Sequence, residues 1–305
     1  VNPADLHLFF EDLVRELRSR GVLCAITSGL ACVHYGVAET TKDCDLLCHP
    51  DAFDALLELL SETAIGAKRC HYRGHISPPL DRRWHIGGWT SHFQWDTDPE
   101  VTILDIFGRA VRQSSPWEDD LSGLYAGMNV VAEMKRTDRD KDWPFITSLG
   151  TNMIHQRDPR GWLHLFDEDA LIDLQEEYTI PIDLLPVRPV LQLAVKRDPK
   201  LHQALLAERR CWQELDRLRI RVYRAALRPY VLAIGRERIP EDVPLHEQHA
   251  ARVACAERNL SQQPMATYGI KRLIEEARSA TAALVRPELL QWLPNVEPYF
   301  TYLEV

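Results

Sequence analysis

Residues 28–47 read SGLACVHYGVAETTKDCDLL, and this stretch decides the fold. Ser28-Gly29 is a turn signal, and 30–35 has the spacing of a short helix that ends at Gly36. A strand follows over 43–48. Side chains alternate between the two faces of a strand, so Asp43 and Asp45 share one face while Cys44 and Leu46 take the other. Upstream, the apolar run 22–27 reads as a buried strand, and 5–19 as a helix with Leu6, Phe9, Phe10, Leu13 and Leu17 on one stripe, stopped by Gly21. Downstream, Pro50 leads into a helix over 53–60. The opening therefore reads helix, strand, helix, strand, helix.

Further along, 68–107 is rich in Trp, His, Tyr and Ile and is punctuated by Pro78-Pro79 and Gly87-Gly88. That composition predicts strands joined by loops, with a hairpin or bulge at Gly87-Gly88 and the clearest strand at 101–107. A loop over 116–127 precedes helical spacing at 130–149, which Pro144 interrupts or opens. Beyond 150 the pattern changes to long helical segments at 161–177, 199–232, 246–260 and 269–284. The expected fold is α/β in the α+β sense, with a mixed sheet flanked by helices over 1–150 and a helical C-terminal domain over 151–305.

The 305 residues carry 36 Lys plus Arg against 45 Asp plus Glu, a formal net charge of −9. This balance argues against a protein that coats nucleic acid with its whole surface and leaves room only for a local basic groove. Seven cysteines, an odd number lying mostly in apolar runs, read as buried reduced thiols. Cys44, Cys48, His49, Cys70 and His71 contain no paired C-x-x-C, so zinc is the weaker reading. The first 20 residues lack the basic start and apolar stretch of a signal peptide, and no run approaches the length of a membrane span. The expectation is a cytoplasmic, non-membrane protein.

Two carboxylates side by side on a strand repel unless a cation lies between them, and Mg²⁺ prefers a few carboxylates together with phosphate oxygens. Asp105 is a third candidate, a lone charge in the apolar run VTILDIF at 101–107. Such a charge is costly without a partner, and a metal shared with Asp43 and Asp45 supplies one.

Ser28-Gly29, thirteen intervening residues, Asp43-Cys44-Asp45-Leu46 and a later strand carboxylate resemble the nucleotidyltransferase superfold of the DNA polymerase β type. The full 28–47 run is similar to its minimal bacterial branch, which includes the AbiEii-type toxins. The resemblance covers about the first half of the chain. It implies that Ser28 and Gly29 hold nucleotide phosphates and that Asp43, Asp45 and Asp105 hold Mg²⁺ or Mn²⁺. Asp105 would also accept the proton of an attacking hydroxyl. It implies an NTP as co-substrate and transfer of a nucleoside monophosphate to a small molecule, an RNA end or a protein side chain. The segment KRTDRDKD at 135–142 resembles the family's "K, then R-x-K-D" stretch, which assigns Lys135 to phosphate contact. Arg136 and Lys141 read equally well as a solvated face of alternating charge. Two departures stand out: Ser28 replaces the usual first Gly, and Glu39 stands where the family often has Arg. They motivate an alternative reading, a catalytically silent binding or scaffold protein.

The stretch DRRWHIGGWTSHFQWD at 81–96 offers Trp84, Trp89 and Trp95 as a stacking wall, with ordinary buried aromatics as the commoner explanation. Seven arginines between 207 and 230 offer a surface for an RNA or protein partner on the helical domain, against the blander reading of a solvated basic face.

Overall fold

The computed structural model of the chain describes residues 3–98, 100–112, 121, 123–237, 239–240 and 243–300. Half of the 116–127 loop lies outside these residues. The architecture is mixed α/β. The first elements are α1 (Pro3–Ser19), β1 (Cys24–Thr27), α2 (Ser28–His34), β2 (Asp43–Cys48) and α3 (Phe53–Glu62). After them come the short strands β3 (Ala64–Ile65), β4 (Lys68–Arg69) and β5 (His71–Tyr72), the helical turn α4 (Arg82–His85), and the strands β6 (Thr90–Trp95) and β7 (Thr102–Phe107). Next are α5 (Met128–Lys135), α6 (Trp143–His155), α7 (Glu168–Glu177), α8 (Leu184–Val187) and α9 (Leu191–Val195). The chain ends in α10 (Leu201–Glu237), α11 (Leu245–Asn259), α12 (Pro264–Tyr268) and α13 (Ile270–Ala282).

Five strands form one sheet in the order β1-β2-β7-β6-β5. Only the β2–β7 pair is parallel; the other three neighbours run antiparallel. The strand sequences explain the layering. Cys44, Leu46, Leu104, Ile106, Phe93 and Trp95 alternate onto one buried face. The ring of Trp95 packs edge-on against Phe9 of α1 at 5.3 Å. The opposite face carries Asp43, Asp45, Asp105 and His92 and is only partly covered.

Pro144 opens α6 rather than breaking it, since the first turn of a helix leaves its N–H groups unpaired in any case. Asp167 caps α7 by accepting from the Ala170 N–H, and the preceding 159–163 is a 3₁₀ turn rather than the continuous helix that the 161–177 spacing predicts. Residue 150 falls inside α6, and one apolar core runs from Leu6 in α1 to Phe300.

Gly87-Gly88 is neither a hairpin nor a bulge. It closes the turn after α4, where a Cβ on Gly87 would stand 1.8 Å from the carbonyl oxygen of Gln262. Close approach of two backbones sets the residue type there. Trp84 and Trp89 do not form a substrate wall. Their indole N–H groups donate to the carbonyls of Leu260 and Ser261, and their rings pack with Tyr230 and Ile234 of α10. This aromatic stretch fastens the long helices to the sheet. Among the described residues no helix is long and apolar enough to cross a membrane.

Candidate functional site

Strand register lays out a row of polar side chains. Thr27 pairs with Asp45, Asp45 with Asp105, and Asp105 with His92. The Arg73 N–H extends the row by donating to the His92 carbonyl at 2.9 Å. Directly opposed residues share a face, so two carboxylates and an imidazole lie side by side, with Asp43 one strand repeat from Asp45. The 43–48 alternation thus determines which face is acidic, and the parallel β2–β7 pairing brings Asp105 to it.

Burial, then the charges of Asp105 and Asp43, push the Asp45 carboxyl up to about 7; hydrogen bonding from Ser28 and the charge of Lys135 pull it partly back. Asp105 has two close partners: its Oδ1 is 3.2 Å from an Arg73 guanidinium nitrogen and 2.8 Å from His92 Nδ1. The same His92 nitrogen is 3.0 Å from Arg73. One ring nitrogen cannot donate to the carboxylate and accept from the arginine at once. Asp43 accepts a hydrogen bond from the Thr41 hydroxyl at 2.8 Å.

The turn into α2 is tightly determined. Ser28 adopts a left-handed φ of +53°, a conformation that favours glycine. A Cβ on Gly29 would stand 2.6 Å from the Thr41 hydroxyl. Gly29 therefore leaves room for Thr41, and Thr41 orients Asp43. Lys135, at the end of α5, is buried with its ammonium 3.5 Å from Asp142 and 5.7 Å from the Phe145 ring centre. Asp142 also accepts from Thr137 at 2.6 Å and from Arg139 at 2.8 Å.

Two adjoining cavities open here. One of about 290 Å³ is lined by Ser28, Asp43, Asp45, Asp105, Arg139 and Arg219, among others; the second, about 270 Å³, is lined by Ser28, Gly29, Asp43, Asp45, Lys135 and Lys141, among others. All six residues selected from the sequence (Ser28, Gly29, Asp43, Asp45, Asp105 and Lys135) therefore border one cleft. Glu39 is exposed and lines neither cavity, so its charge does not face the carboxylates directly.

Arg136 corrects the solvated-face reading. It is fully buried, 3.3 Å from Glu133, and its guanidinium lies over the rings of Trp212, Phe166 and Tyr299 at 4.7 to 5.7 Å. Arg73, His92, Arg219 and Tyr223 are the site residues that sequence reasoning did not single out. Arg73 and His92 enter through antiparallel pairing, Arg219 and Tyr223 from α10. A strand histidine opposite a lone carboxylate was the available signal for His92, but it required the register.

The donor chemistry suits a hard divalent cation: carboxylate oxygens on one face, one of them short of counter-charge. Among the described residues, however, no three His, Cys, Asp or Glu side chains are grouped so as to hold a metal ion. Asp105 is instead in contact with Arg73 and His92. No protein-family model and no curated protein matches the chain.

Proposed function

We propose that the protein is a Mg²⁺-dependent nucleotidyltransferase that moves a nucleoside monophosphate from an NTP to a hydroxyl acceptor. The observation that carries this reading is the register pairing of Asp45 with Asp105, with Asp43 on the same face, at a cleft that Ser28 and Gly29 border. Asp43 and Asp45 would be the primary holders of the ion, with Asp105 as the third carboxylate. When bound, the ion supplies charge neutralisation at the α-phosphate and at the leaving oxygen. Mn²⁺ would serve the same donors.

The chain's own groups complete the reaction. The acceptor oxygen attacks the α-phosphorus, the bond to the β-phosphate oxygen breaks, and pyrophosphate leaves. Asp105 receives the hydroxyl proton, with His92 against its Oδ1 to orient it. Lys135 lines the cleft beside Ser28 and Gly29 and faces the phosphates.

A small acceptor entering the cleft is favoured over RNA laid along α10. Arg209 pairs with Asp140, Arg210 and Arg217 with Glu214, Arg219 with Asp216, and Arg221 with Glu276. That helix face is largely neutralised from within the chain.

One contact favours a second reading, nucleotide binding without turnover: the Arg73–Asp105 ion pair, which already supplies a cation to the third carboxylate. Pyrophosphate release with each of the four NTPs, in Mg²⁺ and a panel of hydroxyl acceptors, separates the two. Transfer by the wild type that falls about a thousandfold or more in Asp45→Asn supports the enzyme. NTP binding with no pyrophosphate release under any condition overturns it in favour of the silent reading.

A further inference from the structure

An NTP carries more negative charge than one divalent cation neutralises, and the acidic sheet face adds to the deficit. The cleft must therefore present cations on another wall if the proposed activity holds. Helix α10 brings one there. Of its arginines at 217, 219 and 221, only Arg219 lines the cavity with Asp43, Asp45 and Asp105; Arg217 and Arg221 line a separate groove of about 950 Å³ between α10 and α13. Arg224 and Arg272 line that groove too, but so do Glu214, Glu275, Glu276 and Asp138, four carboxylates against four arginines, and Arg217, Arg221 and Arg272 are paired with Glu214 or Glu276. It offers an anion little.

Arg219 is held differently. Both its Nε and one terminal nitrogen donate to Asp216 Oδ1, at 3.0 and 2.9 Å. Asp216 is completely buried and is also 3.6 Å from Arg112 and accepts the Asp138 N–H at 3.0 Å. Two guanidinium groups thus share one carboxylate, so Asp216 keeps a cationic partner when Arg219 turns toward a ligand. Arg112 is sealed in the interior at 2% side-chain exposure, whereas Arg219 is 20% exposed at the cavity. Tyr223, one turn further along, lines the same cavity and donates its hydroxyl to the Gly87 carbonyl at 2.7 Å, which fixes this part of α10 against the sheet half. Arg139, oriented by Asp142, lines the cavity as well.

We infer that Arg219, together with Arg139, binds the β- and γ-phosphates of the NTP, so that the helical half of the chain holds the pyrophosphate leaving group. This inference rests on the nucleotidyltransferase reading. The planar guanidinium fork matches phosphate oxygens, and Asp216 keeps Arg112 as its cationic partner while Arg219 engages them.

The test is calorimetric titration of inorganic tripolyphosphate and of Mg²⁺-ATP, Mg²⁺-GTP, Mg²⁺-CTP and Mg²⁺-UTP into the full chain, its Arg219→Gln variant and, as a control two residues away, Arg221→Gln. The expected result is a loss of tripolyphosphate and NTP affinity of about tenfold or more in R219Q, with R221Q within about twofold of the wild type. Equal affinity in R219Q and wild type overturns the assignment while leaving the nucleotide site standing. A wild type that binds neither tripolyphosphate nor any NTP overturns both. Should R219Q fail to fold, Arg219→Lys keeps a cation beside Asp216 but loses the fork, and a severalfold weaker affinity is expected; unchanged affinity there counts equally against the proposal.

Discussion

Two groups of charged side chains in this molecule are built on opposite principles. Behind α6, Arg188 and Glu208 are each about 2% exposed and fully matched: the guanidinium makes three bonds of 2.9 to 3.0 Å to the carboxylate and two more to the carbonyls of Trp162 and Leu165. On the open sheet face, Asp43, Asp45 and Asp105 crowd like charges together, and burial and then those neighbouring charges raise the Asp45 carboxyl to about 7. The first arrangement needs nothing from outside the chain. The second is incomplete by itself, which is how binding sites differ from structural ion pairs.

Breaking the first group gives the largest expected change in stability. Glu208→Ala leaves Arg188 buried without its carboxylate and is expected to cost about 3–5 kcal/mol in urea unfolding. A loss below about 1 kcal/mol would mean that the pair is not the structural clamp its geometry implies.

The carboxylate row predicts the reverse sign. With divalent cations removed, Asp45→Asn is expected to stabilise the fold by roughly 1–3 kcal/mol at neutral pH, because it deletes a repelled charge. The pH dependence follows from the direction of the shift. The folded-state pKa of Asp45 is raised to about 7, so between the ordinary carboxylate range near pH 4 and pH 7 the folded form holds a proton that the unfolded chain has lost. The Asp45 contribution to stability therefore falls as pH rises across that window and levels off above it. The difference between wild-type and Asp45→Asn melting temperatures, followed from pH 4 to pH 8 in EDTA, isolates this contribution. A difference that does not change with pH would contradict the raised Asp45 pKa and with it the description of a buried, repelled carboxylate.

A smaller effect is expected from Gly29→Ala. The added Cβ meets the Thr41 hydroxyl at 2.6 Å, so Thr41 must shift and its hydrogen bond to Asp43 with it. Stability should drop by about 1 kcal/mol, and Mg²⁺-dependent NTP affinity by severalfold. A similar loss of affinity in Thr41→Ala, with no further loss in the Gly29→Ala, Thr41→Ala double variant, would confirm that the path runs through Thr41.

The same contrast explains what the sequence made legible. The mixed α/β class and the shared face of Asp43 and Asp45 depend on local periodicity, the strongest signal a single chain carries. Asp105 stood out as a charge in an apolar strand, but its position beside Asp45 depends on parallel pairing across an intervening sixty residues. Arg73 and His92 were hidden for a similar reason: only the β5–β6–β7 register brings them to Asp105. Arg136 misled because it sits in a run of alternating charge, yet the aromatic rings that enclose it come from Phe166, Trp212 and Tyr299. Arg219 looked like one arginine among seven, and only the packing of α10 against the 87–88 turn turns it toward the carboxylates.

The central claim is that the acidic row is completed by a divalent cation and a nucleotide together. Calorimetric titration of each NTP, with Mg²⁺ and again with EDTA, into the wild type and an Asp43→Ala, Asp45→Ala double variant tests it most directly. The expected result is NTP binding by the wild type that requires Mg²⁺ and is lost in the double variant. NTP binding that survives both EDTA and the double substitution, or no NTP binding under either condition, would contradict it.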